Sequence, residues 1–145
     1  MVDAGAVGRT SPAFGMRVEL GKVREFARAV NWPNPEELDD SASVLPTFLS
    51  TQEFWHGEDA DPLAMAGVDV SRGLHAEQEF VFPEGPPRVG SRLVCTTRIE
   101  EVYEKTGRRG GSMTFMVAVT EFKDERGHVV GESRLTIVEL EGDGR

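Results

Sequence analysis

Three histidines, His56, His75 and His128, are the only imidazoles in this chain of 145 residues. General acid–base chemistry needs such a group held against its substrate, with a partner that sets its protonation state. His75 stands two residues from Glu77, and His56 follows the aromatic pair Phe54-Trp55, where it would line a pocket or meet solvent. His128 comes directly after Asp124-Glu125-Arg126-Gly127, a hairpin turn, so its expected surroundings are water. The spacing of the three fits no metal-ligand pattern, and no metal is expected. Cys95 is the single cysteine, so no internal disulfide can form. Nothing beside it in sequence would lower its pKa, and a buried, inert thiol is the expectation. The other candidate base is Glu37, two residues past Asn34-Pro35; Asp39 and Asp40 follow on what reads as the solvated side of a turn.

The elements that must position these groups fall into two halves. Val23, Phe26, Ala27 and Val30 recur at i, i+3, i+4 and i+7, one face of a helix of about three turns. Pro33 and Pro35 forbid its continuation. Met16-Arg17-Val18-Glu19-Leu20 reads as a short strand leading in. The second half alternates with a period of two. Leu74, Ala76, Gln78 and Phe80 oppose His75, Glu77, Glu79 and Val81; Leu93, Cys95, Thr97 and Ile99 oppose Arg92, Val94, Thr96 and Arg98. Met113 to Thr120 is apolar on both faces, which predicts a central strand. In the last strand Leu135 and Ile137 oppose Arg134 and Thr136. One helix followed by a long antiparallel meander makes an α+β domain.

Composition bounds the rest. Hydrophobic residues make up 39% and charged residues 28%, an ordinary balance for one domain with a real core. No apolar run approaches the ~20 residues of a membrane span. The net charge of −9 argues against nucleic acid, which selects a basic face. Residues 1–14 have neither a basic lead nor an apolar core; they read as a flexible leader before a single domain over 15–145, with a cytoplasmic location by default.

From about residue 15 to 140 the chain resembles the MaoC-like hydratases and dehydratases, in the type named for the N-terminal dehydratase domain. The matching pieces are Lys22-Val23-Arg24-Glu25-Phe26-Ala27, Asn34-Pro35, Leu45-Pro46-Thr47-Phe48 and the run from Gly73 to Phe80. Arg88-Val89-Gly90-Ser91-Arg92-Leu93, the stretch from Val102 to Gly111, and that from Asp124 to Val130 also match; the order and spacing carry the resemblance. It implies a hot-dog fold, a curved antiparallel sheet wrapped around a helix, and hydration of trans-2-enoyl thioesters or dehydration of (3R)-3-hydroxyacyl thioesters. No cofactor is implied. The partners implied are an acyl-CoA or acyl-carrier-protein thioester and a second subunit, in a homodimer or a heterodimer with a catalytic MaoC-like chain.

Catalytic members carry a Gly-Asp-x-Asn-Pro-x-His segment that supplies acid and base from one turn. Aligned on Asn34-Pro35, this chain has Asn31 in the glycine slot, Trp32 in the aspartate slot and Glu37 in the histidine slot. Trp cannot transfer a proton, so no catalytic residue is assigned, with Glu37 and His75 as weak candidates. The central helix should also be shortened, because Gly57, Pro62, Gly67 and Gly73 interrupt everything after His56. Apolar side chains freed by that loss would serve either an acyl chain or the core. Trp32, Asn34, Thr47, Phe48, Phe54 and Trp55 are the substrate-contact candidates. Lys105, Arg108 and Arg109 would suit a coenzyme A phosphate or an acidic carrier, or simply a solvated hairpin tip. The leading expectation is a catalytically degenerate, acyl-binding subunit. The alternatives are an active homomeric enoyl-CoA hydratase using Glu37 or His75, and an acyl-thioester-binding module with no enzymatic role.

Overall fold

The computed structural model describes residues 1–107 and 111–141. Five antiparallel strands form one sheet: β1 (Phe14–Arg17), β2 (Gly73–Val81), β3 (Arg92–Thr106), β4 (Ser112–Lys123) and β5 (Val129–Leu140), ordered β1-β3-β4-β5-β2. The meander β3-β4-β5 is the one the alternation predicts. β4 lies at its centre, and Met116, Val117, Ala118 and Val119 are all buried although they point alternately to opposite faces.

The inner face carries Leu93, Cys95, Thr97 and Ile99 of β3, as expected, with Leu135 and Ile137 of β5. Burial pushes the Cys95 thiol up to about 12, so it is not a nucleophile at neutral pH. Thr97 and Thr120 are both buried, and their hydroxyls share a hydrogen bond of 2.9 Å. Replacing either one by valine strands the other hydroxyl and is expected to cost about 1–3 kcal/mol, whereas the double replacement should be close to neutral. Urea denaturation of the three variants measures the difference.

Bulges correct part of the pattern. The register of β2 on β5 shifts between His75 and Glu77, leaving Ala76 as the extra residue. Leu74 therefore faces outward at 55% exposure instead of joining Gln78 and Phe80 on the inner face. A second shift, between Ile99 and Glu101, keeps Val102 on the inner face of β3.

The helix α1 (Leu20–Ala29) buries Val23 and Ala27 completely, with Phe26 partly buried beside them. Val30, read as part of that stripe, is beyond the last turn and 46% exposed. The lead-in strand falls at Phe14–Arg17, two residues earlier than its apolar pattern suggests, because Leu20 already opens the helix. The central helix is reduced as predicted. Under the sheet lies a 3-10 segment, Phe48–Phe54, followed by a five-residue helix α2 (Pro62–Ala66) that Gly67 closes in a left-handed conformation (φ 65°).

Residues 1–14, read as a flexible leader, are packed on the domain, with Phe14 opening β1. Val2 and Ala6 are buried against Ile99 and Met116, and the Ser11 and Gly8 amides donate to the Thr97 and Ile99 carbonyls. The strand edge of β3 offers unpaired backbone groups beyond β1, and this segment satisfies them. At the far end of the inner face, Glu139 is 2% exposed and accepts from Arg72 Nη2 at 2.8 Å and from the Asp69 amide at 2.9 Å. Hydrogen bonds from Ser71 and then Arg72 hold the Asp69 carboxyl down at about 2. No described helix is long and apolar enough to cross a membrane.

Candidate functional site

The turn after α1 is built on two left-handed asparagines. The Trp32 amide reaches back to the Ala27 carbonyl at 2.8 Å, closing the helix, and Asn31 takes φ 55°. Asn34, at φ 52°, precedes a 3-10 turn over Pro35–Glu37, whose first position suits proline. Arg24 fastens the turn to α1 by donating to the Leu38 carbonyl from Nε at 3.0 Å and from Nη2 at 2.8 Å, while Arg28 pairs with Glu36. The turn is therefore fixed against α1 by Arg24 and Arg28.

Trp32 is 44% exposed, and Glu37 is exposed with no hydrogen-bonded or ionic side-chain partner among the described residues. His75 sits on β2, exposed, with Nε2 3.2 Å from the Glu77 carbonyl. Glu37 and His75 share no hydrogen bond, ion pair or cavity among the described residues. His128 is 3.7 Å from Asp124, whose carboxylate already accepts from the Arg126 and His128 amides as the cap of the hairpin. Among the described residues no three His, Cys, Asp or Glu side chains cluster to hold a metal ion.

The six contact candidates separate. Phe48 is fully buried and meets Phe26 edge-on at 5.5 Å; Trp55 packs partly buried against the same core. Thr47 is exposed at the start of the 3-10 segment, and its carbonyl accepts from Ser50. Phe54 is 77% exposed, with the Lys22 ammonium 5.4 Å from its ring centre. Trp32 and Asn34 stay on the turn. Arg108 and Arg109 lie outside the described residues; Lys105 stands over the stacked rings of Tyr103 and Phe115.

Two residues were missed. Between the 3-10 segment and the inner face of β2 and β5 is a cavity of about 220 Å³, lined by Gln52, His56, Leu63, Gln78 and Leu135 among others. His56 is placed there by an edge contact to Phe14 at 5.1 Å and by Nδ1 at 2.9 Å from the Gly57 carbonyl. Gln78 is held by hydrogen bonds to Ser133 Oγ at 2.8 Å and the Arg134 carbonyl at 3.1 Å. Gln52 Oε1 is buried without a partner, as is the Thr51 hydroxyl one residue earlier. The lining sets apolar Pro62, Leu63 and Leu135 against polar Ser50, Gln52, Glu53, His56, Asp61 and Gln78. A glutamine in a 3-10 segment and another on a strand give no sequence signal until the cavity between them exists.

A five-stranded antiparallel sheet, a reduced central helix and an Asn-Pro turn beside it define a hot-dog domain of the hydratase–dehydratase class. Residues 5–133 match the family described as FAS1-like, dehydratase domain region, and the chain belongs to that MaoC-like family. A UPF0336 protein of Streptomyces avermitilis is 33% identical over 116 residues, covering 73% of this chain and 77% of that protein. Among solved structures, the (3R)-hydroxyacyl-ACP dehydratase complex HadBC of Mycobacterium tuberculosis superposes with TM-score 0.66 at 21% identity, covering 92% of this chain and 96% of that one. The ChsH1-ChsH2 complex from the same organism superposes with TM-score 0.70 at 15% identity, covering 98% and 94%.

Proposed function

We propose that this chain is the acyl-holding, catalytically degenerate subunit of an (R)-specific enoyl-thioester hydratase or (3R)-3-hydroxyacyl-thioester dehydratase, working with a catalytic MaoC-like partner. The observation that carries this reading is the filling of the turn: Trp32 and an unaccompanied Glu37 stand where the motif resemblance puts the acid–base pair, on an Asn-Pro turn that is present. Addition of water to an enoyl thioester needs a proton donor and an acceptor aimed at one point. An indole supplies neither. A solvated carboxylate without an oriented partner supplies only one of them.

The holding role is supported by the cavity under β2. Apolar Leu63 and Leu135 line it beside the polar side chains of Gln52, His56 and Gln78. Two of the similar solved structures are complexes of two different chains, which is the arrangement this reading needs.

The test is hydration of crotonyl-CoA by the purified chain alone and after co-purification with a chain encoded beside it that contains Gly-Asp-x-Asn-Pro-x-His. Background turnover alone and a rise of at least about 100-fold in the pair is the expected result, the scale of one acid–base contribution. Rapid turnover by the isolated chain would end this reading.

A further inference from the structure

The polar side chains around the cavity of about 220 Å³ have a one-sided hydrogen-bonding character, because their donors are spent inside the protein. The Ser50 hydroxyl donates to the Thr47 carbonyl at 2.8 Å. The Gln78 amide nitrogen donates to Ser133 Oγ at 2.8 Å and to the Arg134 carbonyl at 3.1 Å. A carbonyl can only accept, so the 2.9 Å contact of His56 Nδ1 with the Gly57 carbonyl puts the proton of the neutral imidazole on Nδ1.

What these residues have left accepts. His56 Nε2 is then a bare acceptor, Ser50 Oγ keeps its lone pairs, and Gln78 Oε1 receives no hydrogen bond among the described residues. Asp61 caps α2 with Oδ1, which takes the Leu63 amide at 2.9 Å, and has Oδ2 to spare. Against these stands one unspent donor group in the lining, the Gln52 amide nitrogen. Pressing a plain hydrocarbon end on such a wall would desolvate acceptors and give them no partner. A carboxylate end would face acceptors and the like charges of Asp61 and Glu53. A hydroxyl can use both kinds of group, donating to His56 Nε2 or Gln78 Oε1 and accepting from Gln52.

We infer that this cavity selects an acyl group whose far end carries a hydroxyl, and that His56 and Gln78 set the selection. This rests on the acyl-holding reading above and narrows its substrate class. Pro62, Leu63 and Leu135 flank the methylenes. An apolar cavity of about 150 Å³ takes a benzene ring, so the space here suits a chain of roughly six carbons with its hydroxyl.

Calorimetric titration of the chain with hexanoyl-CoA, 6-hydroxyhexanoyl-CoA and 6-trimethylammoniohexanoyl-CoA tests this. The coenzyme A portion is common to all three, so the differences report the acyl end. The hydroxyl compound should bind about three- to tenfold tighter than hexanoyl-CoA, the scale of one net hydrogen bond. The trimethylammonium compound, cationic but without a donor, should gain nothing. His56→Phe keeps a ring for the edge contact with Phe14 and should erase the preference while leaving hexanoyl-CoA binding intact. His56→Gln restores an acceptor and should recover part of it. Circular dichroism checks that both variants fold, and the three wild-type titrations decide the matter without them. Equal binding of hexanoyl-CoA and 6-hydroxyhexanoyl-CoA, or tightest binding of the cation, would overturn the inference and leave the holding role standing. No binding of any of the three would overturn both.

Discussion

Phe48→Ala is expected to lower folding stability by about 3–5 kcal/mol, enough to abolish much of the margin of a domain of this size. The residue is fully buried where the reduced central segment crosses beneath the sheet, and its ring is met edge-on by Phe26 of α1. Truncation removes the transfer free energy of the ring and leaves a void between a helix and a sheet that are both tied elsewhere. α1 is anchored through Arg24 to the carbonyls of the following turn, and the sheet is tied by its own ladder, so neither collapses freely into the gap. Phe54→Ala is the control. That side chain is 77% exposed and should change stability by no more than about 0.5 kcal/mol. Denaturant unfolding of both variants measures the contrast, and equal effects would contradict the placement of the two rings.

The second large effect is expected at Glu139→Ala, about 3 kcal/mol. Its carboxylate is almost wholly buried and serves two donors, Arg72 and the Asp69 amide. Removing one member of a buried ion pair leaves the other desolvated and uncompensated, which costs more than the pair itself contributes. Arg72 softens the loss because it keeps Asp69 and is partly exposed. Glu139→Gln retains an acceptor of the same shape and should cost about half as much. Thermal and urea unfolding of the two variants order them; a neutral Ala variant would mean the cluster is decorative.

Much of this architecture was legible in the chain because periodicity is a local property. Val117 and Val119 alternating with Met116 and Ala118 can only be a strand covered on both sides. Pro33 and Pro35 stop a helix whatever surrounds them. The bulge at Ala76 was not legible, since the register with β5 that creates it depends on residues some sixty positions away. Nor was the docking of residues 1–14. Two small anchors, Val2 and Ala6, carry no pattern of their own, and they are buried only because β3 offers an edge. In the candidate site, the turn and its substitutions were readable from Asn34-Pro35. The cavity was not, because Gln52 and Gln78 look like surface residues until the missing helical turns leave room between them.

The strand order has a consequence for how the chain acquires its structure. Both edge strands, β1 and β2, and the helix between them precede the meander in the chain, while every strand they pair with belongs to it. The meander β3-β4-β5 closes through hairpins and needs only near neighbours. The earlier residues have nothing to dock on until it exists, so closing those distant pairings is the slow step. During synthesis the stripe of Val23, Phe26 and Ala27 therefore emerges well ahead of the surface that will cover it. Topology alone leaves that stripe exposed until the meander is made.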